Sequence, residues 1–166
     1  MIDVLRHELD RNLVVLAPTG VAALNVGGQT IHSFFQLPPG PQPVGRKLQG
    51  VSRDVVAKMD ILIIDEVSMV RADLLDAIDE SLRTNTGKTG VPFGGKTILL
   101  IGDMHQLPPV ISGGEEARLF EEVYESPYFF SAYCLQGLPL VTRTLTQSFR
   151  QADEEFVAIL NDLRVG

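Results

Sequence analysis

Cysteine and basic residues are scarce in this 166-residue sequence, and tryptophan is missing. With Cys134 as the one cysteine, no disulfide can form within the sequence, and a reducing, intracellular compartment is expected. The 14 Lys and Arg residues are outnumbered by 21 Asp and Glu, which gives a net charge of -7. Nucleic-acid phosphates are bound through basic side chains, so this balance argues against a strongly basic clamp. A local contact surface for nucleic acid remains compatible with it.

Long apolar runs are also missing. No run approaches the roughly 20 apolar residues of a membrane-spanning helix, and the charged start at residues 1–8 is unlike a signal peptide. The content of 45% hydrophobic and 21% charged residues is typical of a globular domain. The length fits a single domain, and we expect no membrane partner.

Short apolar runs alternate with stretches that have helical spacing. The runs predict strands at 13–17, 61–65, 97–102 and 138–142. The spacing predicts helices at 2–9, 21–26, 30–35, 51–59, 70–83 and 156–163. Segment 37–50 is a predicted loop, 84–95 a loop or hairpin, and 111–137 irregular or short helices. Strands that alternate with helices predict an α/β fold with a parallel sheet covered on both faces.

Acidic residues follow two of the predicted strands. Asp65 and Glu66 end one apolar run, and Asp103 follows another, three residues before Gln106. In open parallel sheets, ligands bind at the carboxyl ends of the strands. Nucleotide hydrolases place an Asp there to hold Mg²⁺ and a Glu to polarise the attacking water. An acidic turn without chemistry is the alternative, but a second strand that ends in Gly-Asp-x-x-Gln-Leu-Pro-Pro favours a nucleotide-driven motor.

One segment fits the pattern of a phosphate loop without its context. Residues 90–97 read Gly-Val-Pro-Phe-Gly-Gly-Lys-Thr. A phosphate loop needs a strand before it and a helix after it, because the helix amino terminus and the loop amides hold the phosphates. Here a polar stretch precedes the segment, an apolar strand follows it, and Pro92 lacks an N–H donor. We therefore expect that Lys96 does not bind nucleotide.

Four segments, in order, resemble the motifs of the Pif-one family of DNA helicases, which is related to the RecD-like helicases. They are APTGVAALN with GQTIHSFF at 17–35, DEVSMV at 65–70, GDMHQLPPV at 102–110 and LTQSFRQ at 145–151. The resemblance implies the first RecA-like domain, with the α/β fold of phosphate-loop nucleotide hydrolases. It also implies an ATP-dependent, five-prime to three-prime DNA helicase with roles in DNA repair, recombination or telomere maintenance.

The resemblance implies a nucleotide site that uses ATP and Mg²⁺. It assigns Mg²⁺ coordination to Asp65, water activation to Glu66, and sensing of the third phosphate to Gln106. Arg150 matches the Arg that contacts phosphate and stabilises transition-state charge. Simpler readings stay open, because Asp103 and Gln106 could only fix the local turn, and Arg150 could form a surface ion pair.

The resemblance also implies contacts with single-stranded DNA. The matching positions are Pro18, Thr19, Asn25, His32 and Ser33. Loop amides and small hydroxyls bind phosphate without reading sequence. His32 could equally be an ordinary hydrogen-bonding residue. Phe34 and Phe35 could stack on bases, although adjacent aromatic residues more often pack in a core.

Two parts of the family pattern have no counterpart among the 166 residues: the strand–phosphate loop–helix unit and the second RecA-like domain. We expect both segments to be required partners, and the chain to be a fragment or a truncated product. In the family architecture the missing strand sits between 97–102 and 138–142. A catalytically inactive remnant that binds DNA or a partner is an alternative. A carboxylate-metal nuclease is another, although it is supported by few acids and no histidine cluster.

Overall fold

The computed structural model of the chain describes residues 11–43 and 53–145. The helices predicted at 2–9 and 156–163 lie outside these residues, as does Arg150. The chain divides into two compact units, Met1–Gln136 and Gly137–Gly166. All the strands and helices given below belong to the first unit.

Four parallel strands form one sheet in the order β2-β1-β3-β4. They are β1 (Leu13–Ala17), β2 (Gln29–Thr30), β3 (Ile61–Ile64) and β4 (Thr97–Leu100). The central strands are short runs rich in Val, Ile and Leu, which suit a sheet that is covered on both faces. Leu16 and Leu62 are fully buried, whereas Ile98 and Leu99 of β4 are only half-buried. Among the described strands, β4 is therefore an edge.

Five α-helices accompany the described part of the sheet. They are α1 (Gly20–Asn25), α2 (Ile31–Phe35), α3 (Arg53–Lys58), α4 (Ala72–Thr86) and α5 (Glu115–Glu122). Threonines begin the first two, since Thr19 Oγ1 accepts a hydrogen bond from Ala22 N and Thr30 Oγ1 accepts one from Ser33 N. No helix in the described ranges is long and apolar enough to cross a membrane.

The longest helix, α4, packs a fully buried apolar stripe into the core. Leu75, Ile78 and Leu82 recur at helical spacing on this stripe. The helix continues three residues beyond the predicted end at residue 83, because Thr86 Oγ1 bonds back to Leu82 O and Gly87 then ends it at a φ of 72°.

The predicted strands differ from the structure in three respects. The apolar run 138–142 has no regular secondary structure. It contains Pro139, which has no N–H for a ladder bond and is poorly suited to a strand interior. Conversely, β2 was not predicted, because two residues are too short for an alternation pattern to show. The strand ends predicted at 65 and 102 come earlier, at Ile64 and Leu100.

Candidate functional site

Asp65 and Glu66 lie at the carboxyl edge of the sheet, directly after β3. Asp65 N donates to Leu16 O of β1 at 2.9 Å, which fixes where the acids leave the sheet. Both residues are half-buried, and neither carboxylate has a hydrogen-bond or ion-pair partner in the described part of the chain. Two carboxylates without protein partners, at the ligand-binding edge of a parallel sheet, are able to accept a cation or polarise a water.

The backbone at Glu66 is left-handed, with φ 51° and ψ 44°. This conformation costs a non-glycine residue about 1–3 kcal/mol and tends to persist at functional sites. The next residues, Val67–Met69, form a tight 3₁₀ turn, and Val67 N donates to Ile101 O at 2.9 Å. The turn therefore ties the acids to the end of β4.

The chain after β4 passes close to the turn that follows Glu66. A Cβ on Gly102 would lie 2.9 Å from Val67 Cγ1 and 3.0 Å from Val67 N, so only glycine fits there without a shift. The acids and the Gln106 loop consequently leave the sheet side by side.

Asp103 organises the loop that carries Gln106. Its Oδ1 accepts from His105 N at 3.1 Å, and its Oδ2 accepts from Gln106 Nε2 at 3.4 Å. Asp103 O also accepts from Gln106 N at 3.0 Å. These bonds support the interpretation that Asp103 fixes the local turn. Gln106 itself is exposed at the edge, and its long side-chain contact leaves it able to turn toward a ligand.

The residues predicted to face DNA lie at the carboxyl ends of the two neighbouring strands, β1 and β2. Pro18 and Thr19 follow β1, whereas His32 and Ser33 occupy the first turn of α2 after β2. Asn25 is the exposed last residue of α1, about 9 Å along that helix from Thr19 at 1.5 Å per residue. Thr19 Oγ1 accepts the capping bond, and its hydroxyl can still donate to a phosphate oxygen.

His32 is half-buried, and its surroundings disfavour a positive charge. Burial lowers the pKa of His32 below its ordinary 6.5, the charge of Arg71 lowers it further, and Asp73 acts in the opposite direction. These surroundings favour the neutral imidazole, which can offer a phosphate a hydrogen bond without a positive charge.

The aromatic pair after His32 is packed. Phe35 is fully buried, and Phe34 contacts it edge-on with ring centroids 4.9 Å apart. Phe35 therefore packs in the core, as the alternative interpretation predicted, and has no face free to stack on a base.

The phosphate-loop pattern at 90–97 lies between the wrong elements, as expected. Helix α4 precedes it, and β4 begins at Thr97. Lys96 Nζ donates to Met59 O at 2.7 Å and Ala57 O at 3.3 Å, at the carboxyl end of α3. A lysine there satisfies helix carbonyls and the negative end of the helix dipole. The prediction that the segment lacks a strand before it and a helix after it is confirmed. That it does not cradle phosphate stays a prediction.

The described residues contain no group of three or more His, Cys, Asp or Glu side chains that could hold a metal ion. The nuclease alternative therefore gains no support from them. Magnesium in nucleotide hydrolases needs no such cage, because it uses one or two carboxylates together with waters and substrate phosphates. The partner-free, half-buried carboxylate of Asp65 fits that mode.

Sequence reasoning missed a buried ion cluster formed by Arg71, Asp73 and Glu116. The sequence could have pointed to Asp73, because this acid stands next to Leu74 and Leu75 of the apolar stripe of α4. In the structure Asp73 is 1% exposed. A charged residue in such a place requires a buried partner.

A parallel sheet with adjacent acids at its carboxyl edge is typical of nucleotide hydrolases. The family model for PIF1-like helicase matches residues 1–166. ATP-dependent DNA helicase PIF1 of Emericella nidulans is 37% identical over 99% of the chain, and human PIF1 is 34% identical over 92%. The chain therefore belongs to the PIF1-like helicase family. It spans 21% and 23% of the length of these two relatives.

Solved structures agree with this assignment. A crystal structure of a Bacteroides Pif1 helicase in complex with ADP-AlF3 and ssDNA matches 99% of the chain at 38% identity, with a TM-score of 0.92. Pif1 helicase from Candida albicans matches 98% at 33% identity, with a TM-score of 0.74. The chain covers 39% and 36% of those two proteins. The RecA-like α/β fold expected from the sequence is confirmed.

Proposed function

We propose that the chain is the first RecA-like domain of an ATP-driven DNA helicase. In this proposal it couples ATP hydrolysis to movement along single-stranded DNA and to duplex unwinding, within an intracellular protein that acts in repair, recombination or telomere maintenance. The observation that carries the proposal is the shared edge of the sheet. Asp65 and Glu66 leave it beside the Gln106 loop, while the proposed DNA-facing residues leave the neighbouring strands.

The nucleotide half of the site uses three described residues. Asp65 would hold Mg²⁺, which when bound neutralises charge on the phosphate oxygens. Glu66 orients and polarises the attacking water from the rigid turn that follows β3. Gln106, exposed at the same edge, would contact the third phosphate, and Arg150 is proposed as a second phosphate contact on the grounds of its motif.

The DNA half of the site uses neutral groups. Pro18, Thr19, Asn25, His32 and Ser33 provide turns, hydroxyls, an amide and an uncharged imidazole. Such groups hold a phosphate backbone without reading its sequence. Contacts through neutral groups also agree with the net charge of -7, because they do not depend on basic side chains.

The proposal includes two partner segments. A strand–phosphate loop–helix segment would supply the Lys and Ser or Thr that hold the phosphates and Mg²⁺, and a second RecA-like domain would close over the nucleotide. The match of this chain to only part of each relative is consistent with that arrangement.

Glu66→Gln in a full-length helicase that bears this domain tests the proposal. Removal of the base raises the transition-state barrier without weakening the ground state. We expect kcat for ATP to fall by about 10²- to 10⁴-fold, the usual contribution of a general base, while ATP binding is retained. Glu122→Gln, at the exposed end of α5, is the matched control. DNA-stimulated hydrolysis near the wild-type rate in Glu66→Gln would remove Glu66 from catalysis.

A further inference from the structure

A buried ion cluster lies next to the proposed site, at the start of α4. Arg71 Nε donates to Asp73 Oδ1 at 2.9 Å and Nη2 to Asp73 Oδ2 at 3.1 Å, which makes the pair bidentate. Arg71 Nη1 donates to Glu116 Oε1 of α5 at 2.7 Å. The side chains are 13%, 0% and 8% exposed, respectively. We name these three residues the Arg71 cluster.

The cluster holds the loop that follows the proposed DNA-facing helix α2. Arg71 Nη2 donates to Gly40 O at 2.7 Å, and Gln42 N donates to Asp73 Oδ2 at 2.7 Å. Gln42 Nε2 also bonds to Gly40 O at 3.0 Å, so the loop is braced internally. Since the loop continues directly from α2, the cluster constrains where His32 lies. The charge of Arg71 is also one cause of the lowered pKa of His32.

The same cluster holds the chain that follows Gln106. Ser112 N donates to Glu116 Oε2 at 2.6 Å, while the other oxygen of Glu116 accepts from Arg71. This hydrogen bond, together with Arg71, holds the pKa of Glu116 below its ordinary value, so the carboxylate stays charged. Only five residues separate Gln106 from Ser112, and the chain between them therefore has limited freedom.

Arg71 itself follows Glu66 by five positions, after the turn at Val67–Met69. Three segments with proposed functions thus meet at the Arg71 cluster: the chain after Glu66 and the loop after His32 at the guanidinium itself, and the chain after Gln106 through Glu116. A guanidinium presents five donors in a rigid plane and can hold several acceptors in one geometry. Buried ion clusters contribute little net stability compared with apolar packing, and they are better attested as devices of specificity.

We propose that Arg71 is a positioning residue that couples the DNA-facing loop to the nucleotide-facing Gln106 loop. This inference rests on the proposed function. With the cluster intact, a shift of the α2 loop on DNA binding is passed to Ser112 and so to Gln106. With the cluster broken, each loop still binds its own ligand, but DNA no longer accelerates hydrolysis.

The test measures ATPase rates with and without single-stranded DNA in a full-length helicase that bears this domain. Arg71→Lys keeps the positive charge but cannot reach all three acceptors. We expect the stimulation of kcat by an oligothymidine to fall about tenfold, within the range of typical coupling effects. The basal rate and the KM for ATP should remain within about twofold of wild type, as expected when only coupling is lost.

Two further variants make the result specific. Glu116→Gln retains an oxygen for Arg71 but loses the second carboxylate oxygen, which accepts from Ser112 N, and it should reduce stimulation similarly. Arg83→Lys is the matched control, because Arg83 also pairs with an aspartate of α4, Asp79, at 2.6 Å, but bonds to Thr89 O in the loop that follows α4. It should leave stimulation unchanged.

Several outcomes would overturn the inference. One is unchanged stimulation in both cluster variants, and another is a parallel fall of basal and stimulated rates, which would make the cluster merely structural. Loss of folding in both variants, measured by thermal melting, would also show that the cluster is merely structural. A wild-type protein that hydrolyses ATP without any response to DNA would instead refute the proposed function, and the inference would fail with it.

Discussion

At the scale of single residues, the partner of a side chain decides its role, and Lys96 is the clearest example. Its amino group is occupied by two carbonyl oxygens at the end of α3. Lys96→Ala in a full-length helicase that bears this domain should therefore keep ATPase activity near wild type. The loss of the helix-end interaction should cost about 0.3–1 kcal/mol of folding free energy.

The measurements for Lys96 are steady-state ATPase and thermal unfolding. Lys88→Ala, at an exposed position in the loop after α4, serves as the control for removal of a lysine. A fall in ATPase of about a thousandfold, the scale for a missing phosphate-stabilising charge, would return residues 90–97 to the phosphate-loop reading.

Residue positions were predictable where a local pattern sets them. Asp65 and Glu66 follow an apolar run, so their place at the carboxyl edge could be read from the sequence. The contacts of Arg71 could not, because Gly40 and Glu116 are 31 and 45 residues away in sequence. No local periodicity carries information about such pairs, which exist only once the sheet and helices have assembled.

At the scale of elements, α4 and the turn after it form one packed unit. Asp79 of α4 accepts a hydrogen bond from Phe93 N and pairs with Arg83. Gly94 in this turn has a φ of 60°, and a Cβ there would lie 2.3 Å from Thr86 Oγ1 and 2.6 Å from Leu82 O. Gly94 therefore permits close packing against the helix, and Gly95 follows it at a φ of 76°, which favours glycine. These demands explain a glycine-rich segment without any nucleotide.

Gly94→Ala should consequently destabilise the domain by about 2 kcal/mol or more, because it combines backbone strain with a clash against a helix backbone. Gly90→Ala is the control, since a Cβ there meets nothing within 4 Å and its φ is not in the left-handed region. That variant should be neutral or slightly stabilising. Urea unfolding of both variants gives the comparison, and equal midpoints would contradict the packing argument.

The order and type of the main elements followed from periodicity, since β1, β3, β4 and α4 each carry enough apolar residues to show a pattern. The ends of the elements and the shortest strands could not be predicted from periodicity. The two residues of β2 form a strand only because Leu16 and Ala17 lie beside them, and the run 138–142 shows that apolar content without a pairing partner does not make a strand. Pairing is a tertiary property that a single segment does not encode.

At the scale of the whole molecule, the described part of the sheet ends at an unpaired edge on β4. Thr97 N donates to Asp60 O and Ile101 N to Ile64 O, so the alternate N–H groups of Ile98 and Leu100 point away from β3. No described strand pairs with that side of β4. An unpaired edge with half-buried apolar residues is a template for pairing with another strand.

The 166-residue chain on its own should therefore have low stability and self-associate. It should also lack measurable ATPase, and its net charge of -7 should leave only weak binding to single-stranded DNA.

Fusion to a strand–phosphate loop–helix segment should give a monomer with a cooperative melt, because the added strand satisfies the outer edge of β4. Ile98→Pro should block this rescue, since proline removes an outward N–H and leaves the bonds to β3 intact. Light scattering, thermal melting and ATP titration with magnesium distinguish the outcomes. If the chain alone melts cooperatively as a monomer and binds ATP at micromolar concentrations, another segment must take the place of the phosphate loop.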